Sequence, residues 1–181
     1  MPQIEDYIKA KNIPVLCKYF FPKHKVATNL TPTQQDIVRK IAFREEQRMC
    51  INAFTRFGKS QCIAIGTALY ILFHSDQKIA IIAPQDEQTS IIRNYIAELI
   101  ISCPELNKLV DIERDNSIER LRKEASQRRL TFKNGCELRT LSGEGEAYRL
   151  MGFGGNVIVD ESPKISREAW AKIVRMLGDD P

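Results

Sequence analysis

The sequence predicts an α/β fold in which a mostly parallel sheet is covered by helices on both faces. Two observations predict it: strand-like and helix-like segments alternate along the chain, and the strand-like segments are apolar almost throughout. Strands that are buried on both faces are apolar in this continuous way, and strand–helix alternation gives parallel pairing. A length of 181 residues suits one domain, so a second independent domain is not expected.

The first part of the chain mixes lysine, aromatic and proline residues. We expect residues 1–30 to form an N-terminal arm that packs on a core domain of residues 31–181. A helix is predicted at the start of this domain, with Thr31 as its N-cap and Pro32 in its first turn. Gln34 then stands at the capping-box position.

The remaining elements follow in alternation. Strands are predicted at residues 49–54, 78–83 and 156–160, and helices at residues 60–73, 86–101 and 166–177. A hairpin of residues 128–133 and 136–141 is predicted around Asn134-Gly135, because this pair accepts the positive φ that a tight turn needs. The strand of residues 156–160 is apolar on both faces, which predicts a place in the middle of the sheet.

Composition excludes several classes of protein. With 43% hydrophobic and 28% charged residues, the chain is neither disordered nor a coiled coil. No apolar run reaches the roughly 18 residues of a membrane span, and the first residues lack the apolar stretch of a signal peptide. We therefore expect a protein of a reducing cytosol, neither secreted nor membrane-bound. Its five cysteines are interpreted as small core residues.

The segment from Ala53 to Ser60 (AFTRFGKS) lies between a predicted strand and a predicted helix, the context of a phosphate-binding loop. Gly58 lets the backbone approach phosphate oxygens, and the amides at the helix start point at the anion. Lys59 adds a charge for the β and γ phosphates, and Ser60 a hydroxyl for Mg²⁺. The predicted ATP-binding residues of this loop are Thr55, Arg56, Phe57, Gly58, Lys59, Ser60 and Gln61.

Ala53 stands where the usual phosphate-loop pattern has its first glycine. The alternative interpretation of the segment is a surface helix start with an ordinary lysine.

Two carboxylates, Asp160 and Glu161, end the last predicted strand. In open α/β folds ligands bind at this edge of the sheet. Asp160 is predicted to hold the Mg²⁺, through water. Glu161 is predicted to orient or deprotonate the attacking water. The alternative is an acidic strand end at a solvated turn.

Together these motifs resemble the ATPase domain of the large terminase subunit of tailed bacteriophages, the motor that packages viral DNA. The resemblance runs over about residues 30–165. It rests on the arginine-bearing phosphate loop, the segment from Pro84 to Thr89, the Asn-Gly hairpin, and the segment from Arg149 to Pro163. It implies a P-loop NTPase core of the RecA-like, additional-strand type.

The resemblance also implies a function. ATP hydrolysis with Mg²⁺ would power translocation of double-stranded DNA into a procapsid, with Glu161, Lys59 and Arg56 as catalytic residues. Arg56 would contact the γ phosphate; packing on the loop or pairing with an acid is its alternative. The implied partners are the portal protein and a small terminase subunit, with a ring of subunits on the portal in the host cytoplasm. The family's coupling segment and nuclease domain would lie beyond Pro181, so no nuclease activity is expected.

Gln34 resembles the glutamine that reads adenine in terminases and related helicases, since an amide can both donate and accept. The adjacent Gln35 is an alternative candidate for reading the adenine. The other interpretation is that both glutamines simply belong to an exposed first helical turn. Phe20 or Phe21 could stack on the base, although packing in the core is the favoured interpretation.

A basic stripe is predicted to contact DNA. Residues 114–133 hold seven basic and three acidic residues, so their net charge equals the +4 of the whole chain. Such a stripe suits a phosphate backbone, which gives sequence-independent and salt-dependent contact. A solvated helix with i,i+4 ion pairs is the alternative.

Two other classes of function compete with a packaging motor. A two-lobed DNA helicase or translocase would share Gln34, the phosphate loop and the acidic pair, but it normally has Ala-Asp or Ala-His where Ser162-Pro163 stands. A nucleotide-binding module without turnover is the third class. The presence of both Lys59 and Glu161 argues against that module.

Overall fold

The structure is a computed structural model that describes residues 3–110, 129–143 and 154–177. Its α-helices are α1 (Ile4–Lys9), α2 (Ile13–Phe20), α3 (Lys25–Thr28), α4 (Pro32–Phe43), α5 (Lys59–Phe73), α6 (Asp86–Ser102), α7 (Pro104–Leu109) and α8 (Arg167–Leu177). Its strands are β1 (Lys78–Ala83), β2 (Arg129–Thr131), β3 (Glu137–Ser142) and β4 (Asn156–Val159), and Ser162–Lys164 form a 3₁₀ turn.

The chain divides into two compact units. The first holds the described residues of Met1–Phe73 and Tyr95–Leu109, and the second those of His74–Asn94 and Val110–Pro181. The first unit is helical, whereas the second contains the sheet and α8.

The first unit is built on α4 and α5. Thr31 and Gln34 form the predicted capping box: Gln34 Oε1 accepts from Thr31 N at 2.9 Å, and Gln34 N donates to Thr31 Oγ1 at 3.4 Å. The predicted helix after the phosphate loop is confirmed as α5, in which Cys62 to Ile71 are all buried. Gly66 lets α5 approach α4, since a Cβ there would lie 2.8 Å from Ile41 Cβ.

Residues before α4 form the three short helices α1–α3. Their four to eight residues hold too few turns to show a clear period in the sequence. Phe21 is fully buried, and Phe20 is 7% exposed and packs edge-on against Phe73, with ring centroids 5.8 Å apart. The core-packing interpretation of these two rings is therefore confirmed.

The second unit contains a four-stranded sheet of order β2-β3-β1-β4. Strand β1 pairs in parallel with β3 and β4, and β2 pairs antiparallel with β3 through the Asn134-Gly135 turn. On one face, Ala80, Ile82 and Leu141 pack with Ala169 and Ile173 of α8. On the other, Arg93 of α6 donates to Thr140 Oγ1 at 3.3 Å. The predicted α/β class, parallel pairing and hairpin are confirmed.

Two predictions about the sheet are wrong. Residues 49–54, all of them described, form no strand. Cys50, Asn52 and Phe54 are exposed, so this apolar run buries too little surface to hold a strand in place. Within the described residues β4 pairs with β1 alone, at the end of the strand order rather than in its middle. All four residues of β4 are only half-buried, so its continuous apolar run does not reflect the full cover that a central strand would have.

The cysteine prediction holds for four of the five residues. Cys17, Cys62, Cys103 and Cys136 are buried, whereas Cys50 is exposed. Burial raises the pKa of the Cys17 thiol to about 12 and those of Cys62 and Cys103 to about 11, so these three stay protonated near neutral pH.

Among the helices of the described ranges, none is long and apolar enough to cross a membrane.

Candidate functional site

The phosphate loop turns through two left-handed residues. Arg56 has φ 66° and Gly58 has φ 90°, which a residue with a Cβ adopts only with strain. The amide of Phe57 donates to the carbonyl of Phe54 at 3.3 Å, and Cys62 N donates to Gly58 O at 2.9 Å as α5 begins. The predicted turn and helix start are therefore confirmed, and the first amides of α5 follow Gly58 directly.

The Lys59 side chain bends back over this loop. Its Nζ donates to the carbonyl of Ala53 at 2.9 Å and to that of Phe54 at 3.3 Å. An anion at the start of α5 would therefore meet the ammonium beside the helix amides. Ala53 contributes a carbonyl rather than its side chain, and it is not among the residues with positive φ. The loop consequently has no conformational need for a glycine at this position.

Gln34 connects α4 to the loop. Its Nε2 donates to the carbonyl of Phe57 at 2.7 Å, while its Oε1 accepts from Thr31 N. A Cβ on Gly58 would come within 3.1 Å of that Nε2, so the glycine also makes room for the amide. Gln35 turns elsewhere, to the carbonyl of Leu30 at 2.7 Å. Adenine recognition by Gln34 stays a prediction.

The other predicted loop residues differ in exposure. Thr55 and Arg56 are exposed at the turn, whereas Ser60 and Gln61 are half-buried. Phe54 is 74% exposed and meets Phe57 edge-on, with centroids 5.5 Å apart. Phe54 is predicted both at the end of the strand of residues 49–54 and in the phosphate-loop segment, and the structure confirms only the second placement.

The acidic pair belongs to the second unit. Asp160 is 8% exposed; its backbone N–H donates to the carbonyl of Ile82 at 2.8 Å, and its Oδ1 accepts from Glu161 N at 3.0 Å. This burial contradicts a solvated strand end at Asp160. Glu161 has φ 49° and ψ 42°, so the chain leaves the strand direction at this residue.

Gln88 and Lys164 are among the side chains that contact the Glu161 carboxylate. Gln88 Nε2 donates to Glu161 Oε2 at 3.1 Å, and Lys164 Nζ lies 2.5 Å from the same oxygen. Sequence reasoning did not identify Gln88, which lies 73 residues away in the chain. Gln88 is the third residue of a predicted helix, and nothing in the sequence around it indicates a contact with Glu161.

The predicted DNA stripe lies largely outside the described residues, as does Arg149. Of residues 114–133, only 129–133 are described. Arg129 there pairs with Glu137, with Nη2 3.1 Å from Oε2. Contact between this stripe and DNA stays a prediction.

Comparison with protein families identifies a family model that matches the chain. The family model of the phage terminase large subunit gpA, ATPase domain, matches residues 22–151 of the 181. No curated protein matches the chain. The family match includes Gln34 and the whole phosphate loop, and it ends before the acidic pair. Because it covers more than half of the chain, this protein belongs to the family of phage terminase large subunit ATPase domains.

Proposed function

We propose that this protein hydrolyses ATP to power translocation of viral double-stranded DNA into a procapsid. Family membership implies an ATPase that acts in phage DNA packaging. The observation that carries the finer proposal is the loop geometry: the Lys59 ammonium lies against two loop carbonyls, and left-handed Gly58 leads into the amides of α5. Backbone amides with an adjacent lysine form a cradle for phosphate oxygens.

The proposed reaction is in-line attack of water on the γ phosphate, which releases ADP and phosphate. Lys59 neutralises charge on the β and γ phosphates, and Glu161 orients the water and takes its proton. Ser60 and Asp160 are the proposed Mg²⁺ ligands, since a hydroxyl and a carboxylate are the oxygen donors that this ion prefers. When bound, the ion would neutralise further phosphate charge.

Arg56 is proposed to contact the γ phosphate. Its guanidinium is exposed, and within the described ranges it forms no ion pair with an acid. Thr55, Phe57 and Gln61 would contact the nucleotide, and Gln34 its base. The proposed partners are DNA, the portal protein and a small terminase subunit, with the subunits in a ring on the portal and in the host cytoplasm.

Phosphate release by the purified chain tests this function. Lys59→Ala is expected to lower turnover about 100-fold or more, the size of effect seen when one electrostatic catalytic group is removed. Glu161→Gln is expected to abolish turnover while nucleotide still binds. Lys78→Ala, which removes an exposed lysine at the start of β1, is the matched control and should turn over normally. Nucleotide binding without phosphate release by the unaltered chain would instead indicate a module without turnover.

A further inference from the structure

The topology brings Gln88 to Glu161. Helix α6 starts three residues after the end of β1, and Glu161 stands two residues after the end of β4. These strands are parallel neighbours, with Ile82 in register with Val159, so their carboxyl ends lie side by side. The first turn of α6 therefore faces the turn that begins at Glu161.

The first turn of α6 is well anchored. Thr89 is fully buried, and its Oγ1 donates to the carbonyl of Asp86 at 2.7 Å. Its backbone N–H donates to the carbonyl of Gln85 at 3.3 Å. Gln88 precedes this residue, so its amide reaches Glu161 from a rigid part of the backbone.

The Gln88 amide has one favourable orientation. Nε2 donates to the Glu161 carboxylate, while Oε1 is buried and has no hydrogen-bond partner within the described residues. A reversed amide would place its oxygen against the carboxylate and repel it. Leaving a buried acceptor unsatisfied costs stability, so the contact with Glu161 has to offset that cost.

Lys164 is a weaker partner of Glu161 than Gln88. Its side chain is 66% exposed and lies three residues from Glu161 in the same turn. Solvent and salt screen an exposed ion pair of this kind, and a flexible lysine loses entropy in forming it. Glu161 itself sits in a left-handed conformation at the start of the turn. The Gln88 amide, which comes from a separate element, restricts the orientation of the carboxylate more firmly than this ion pair does.

We propose that Gln88 is a positioning residue for Glu161: its side-chain amide holds the carboxylate in the orientation that serves hydrolysis. This inference rests on the proposed role of Glu161. Gln88 acts through Glu161 and need not touch the nucleotide.

Steady-state phosphate release by the full chain tests the inference. Gln88→Leu keeps the approximate size and removes the donor. It is expected to lower kcat about tenfold, the size of a hydrogen bond to a charged group, with KM for ATP nearly unchanged. Gln85→Leu, at an exposed glutamine of the preceding turn, is the matched control and should match the unaltered chain.

A double-mutant cycle separates positioning from general damage. In a Glu161→Asp background, which keeps a carboxylate but withdraws it from the Gln88 amide, Gln88→Leu should cause a much smaller loss of turnover than in the unaltered chain. Trp170, the single tryptophan, donates to the carbonyl of Ser162 at 3.1 Å, so its fluorescence reports whether this turn is intact. If Gln88→Leu fails to fold, Gln88→Glu replaces it. The added carboxylate should repel Glu161 and lower kcat more strongly.

The outcomes are distinct. A folded Gln88 variant with unchanged kcat would overturn the positioning role. An equal loss in the Glu161→Asp background would do the same. An unaltered chain that releases no phosphate, or a Glu161→Gln variant that is fully active, would overturn the proposed function and with it this inference.

Discussion

Gln34 donates a hydrogen bond to the carbonyl of Phe57 at 2.7 Å, and this bond ties the first turn of α4 to the phosphate loop. The other end of the same amide accepts from Thr31 N and completes the helix cap. One side chain thus stabilises a helix start and holds a loop 23 residues further along the chain.

The two contacts of Gln34 can be separated by Gln34→Glu. A glutamate keeps the acceptor for Thr31 N but cannot donate to the Phe57 carbonyl, and it repels that oxygen. Nucleotide affinity should fall about fivefold, since a neutral hydrogen bond contributes about 1 kcal/mol. Titration with a fluorescent ATP analogue measures this. Thr31→Ala removes a cap contact instead; it should cost about 1 kcal/mol of unfolding free energy with affinity unchanged. Equal affinities for Gln34→Glu and the unaltered chain would contradict the tether.

A catalytic role of Arg56 predicts that Arg56→Ala and Arg56→Gly lose phosphate release to the same extent, with nucleotide affinity little changed. The two variants differ in the backbone. Arg56 has φ 66°, which costs a residue with a Cβ about 1 kcal/mol, so the glycine variant should be the more stable. Turnover assays and urea unfolding measure the two effects separately. Unchanged turnover in both variants would leave Arg56 without a part in catalysis.

Gly66→Ala should destabilise the protein, although alanine favours a helix over glycine by about 1 kcal/mol. The new Cβ would lie 2.8 Å from both Cβ and Cγ2 of Ile41, and a β-branched side chain cannot turn these atoms away. The expected loss is about 1–3 kcal/mol of unfolding free energy, measured by urea denaturation. Adding Ile41→Ala removes Cγ2 and should recover part of that loss. A more stable Gly66→Ala variant would show that α4 and α5 do not approach so closely.

Glu45 should make stability depend on pH. A hydrogen bond from Lys11 and the charge of Arg39 hold the pKa of this carboxyl below its usual value of 4.5. A folded-state pKa below the unfolded one adds stability above pH 4.5, and that stability is lost as the pH falls through the folded value. Urea unfolding between neutral pH and about pH 3 measures this dependence, which Glu45→Gln should reduce. Glu46→Gln, at the exposed neighbour, is the control; an equal reduction there would contradict the assignment.

Much of the fold could be predicted because its signals are local. The run KIAIIA forms β1, Asn134-Gly135 forms the hairpin turn, and the apolar segment after Lys59 forms a buried helix. In each case neighbouring residues carry the period or the turn chemistry. The strand predicted at residues 49–54 failed because an apolar run is also compatible with a loop, and pairing depends on a partner elsewhere in the chain.

The sequence by itself determined the strand–helix alternation, the helix cap at Thr31 and the residue types of the phosphate loop. Tertiary structure decided that β4 ends the described sheet, that Gln34 serves the loop as well as the cap, and that Gln88 contacts Glu161. The physical reason is distance along the chain. Periodicity and turn preference act over a few residues, whereas these contacts join side chains 23 and 73 residues apart and form only when packing brings their elements together.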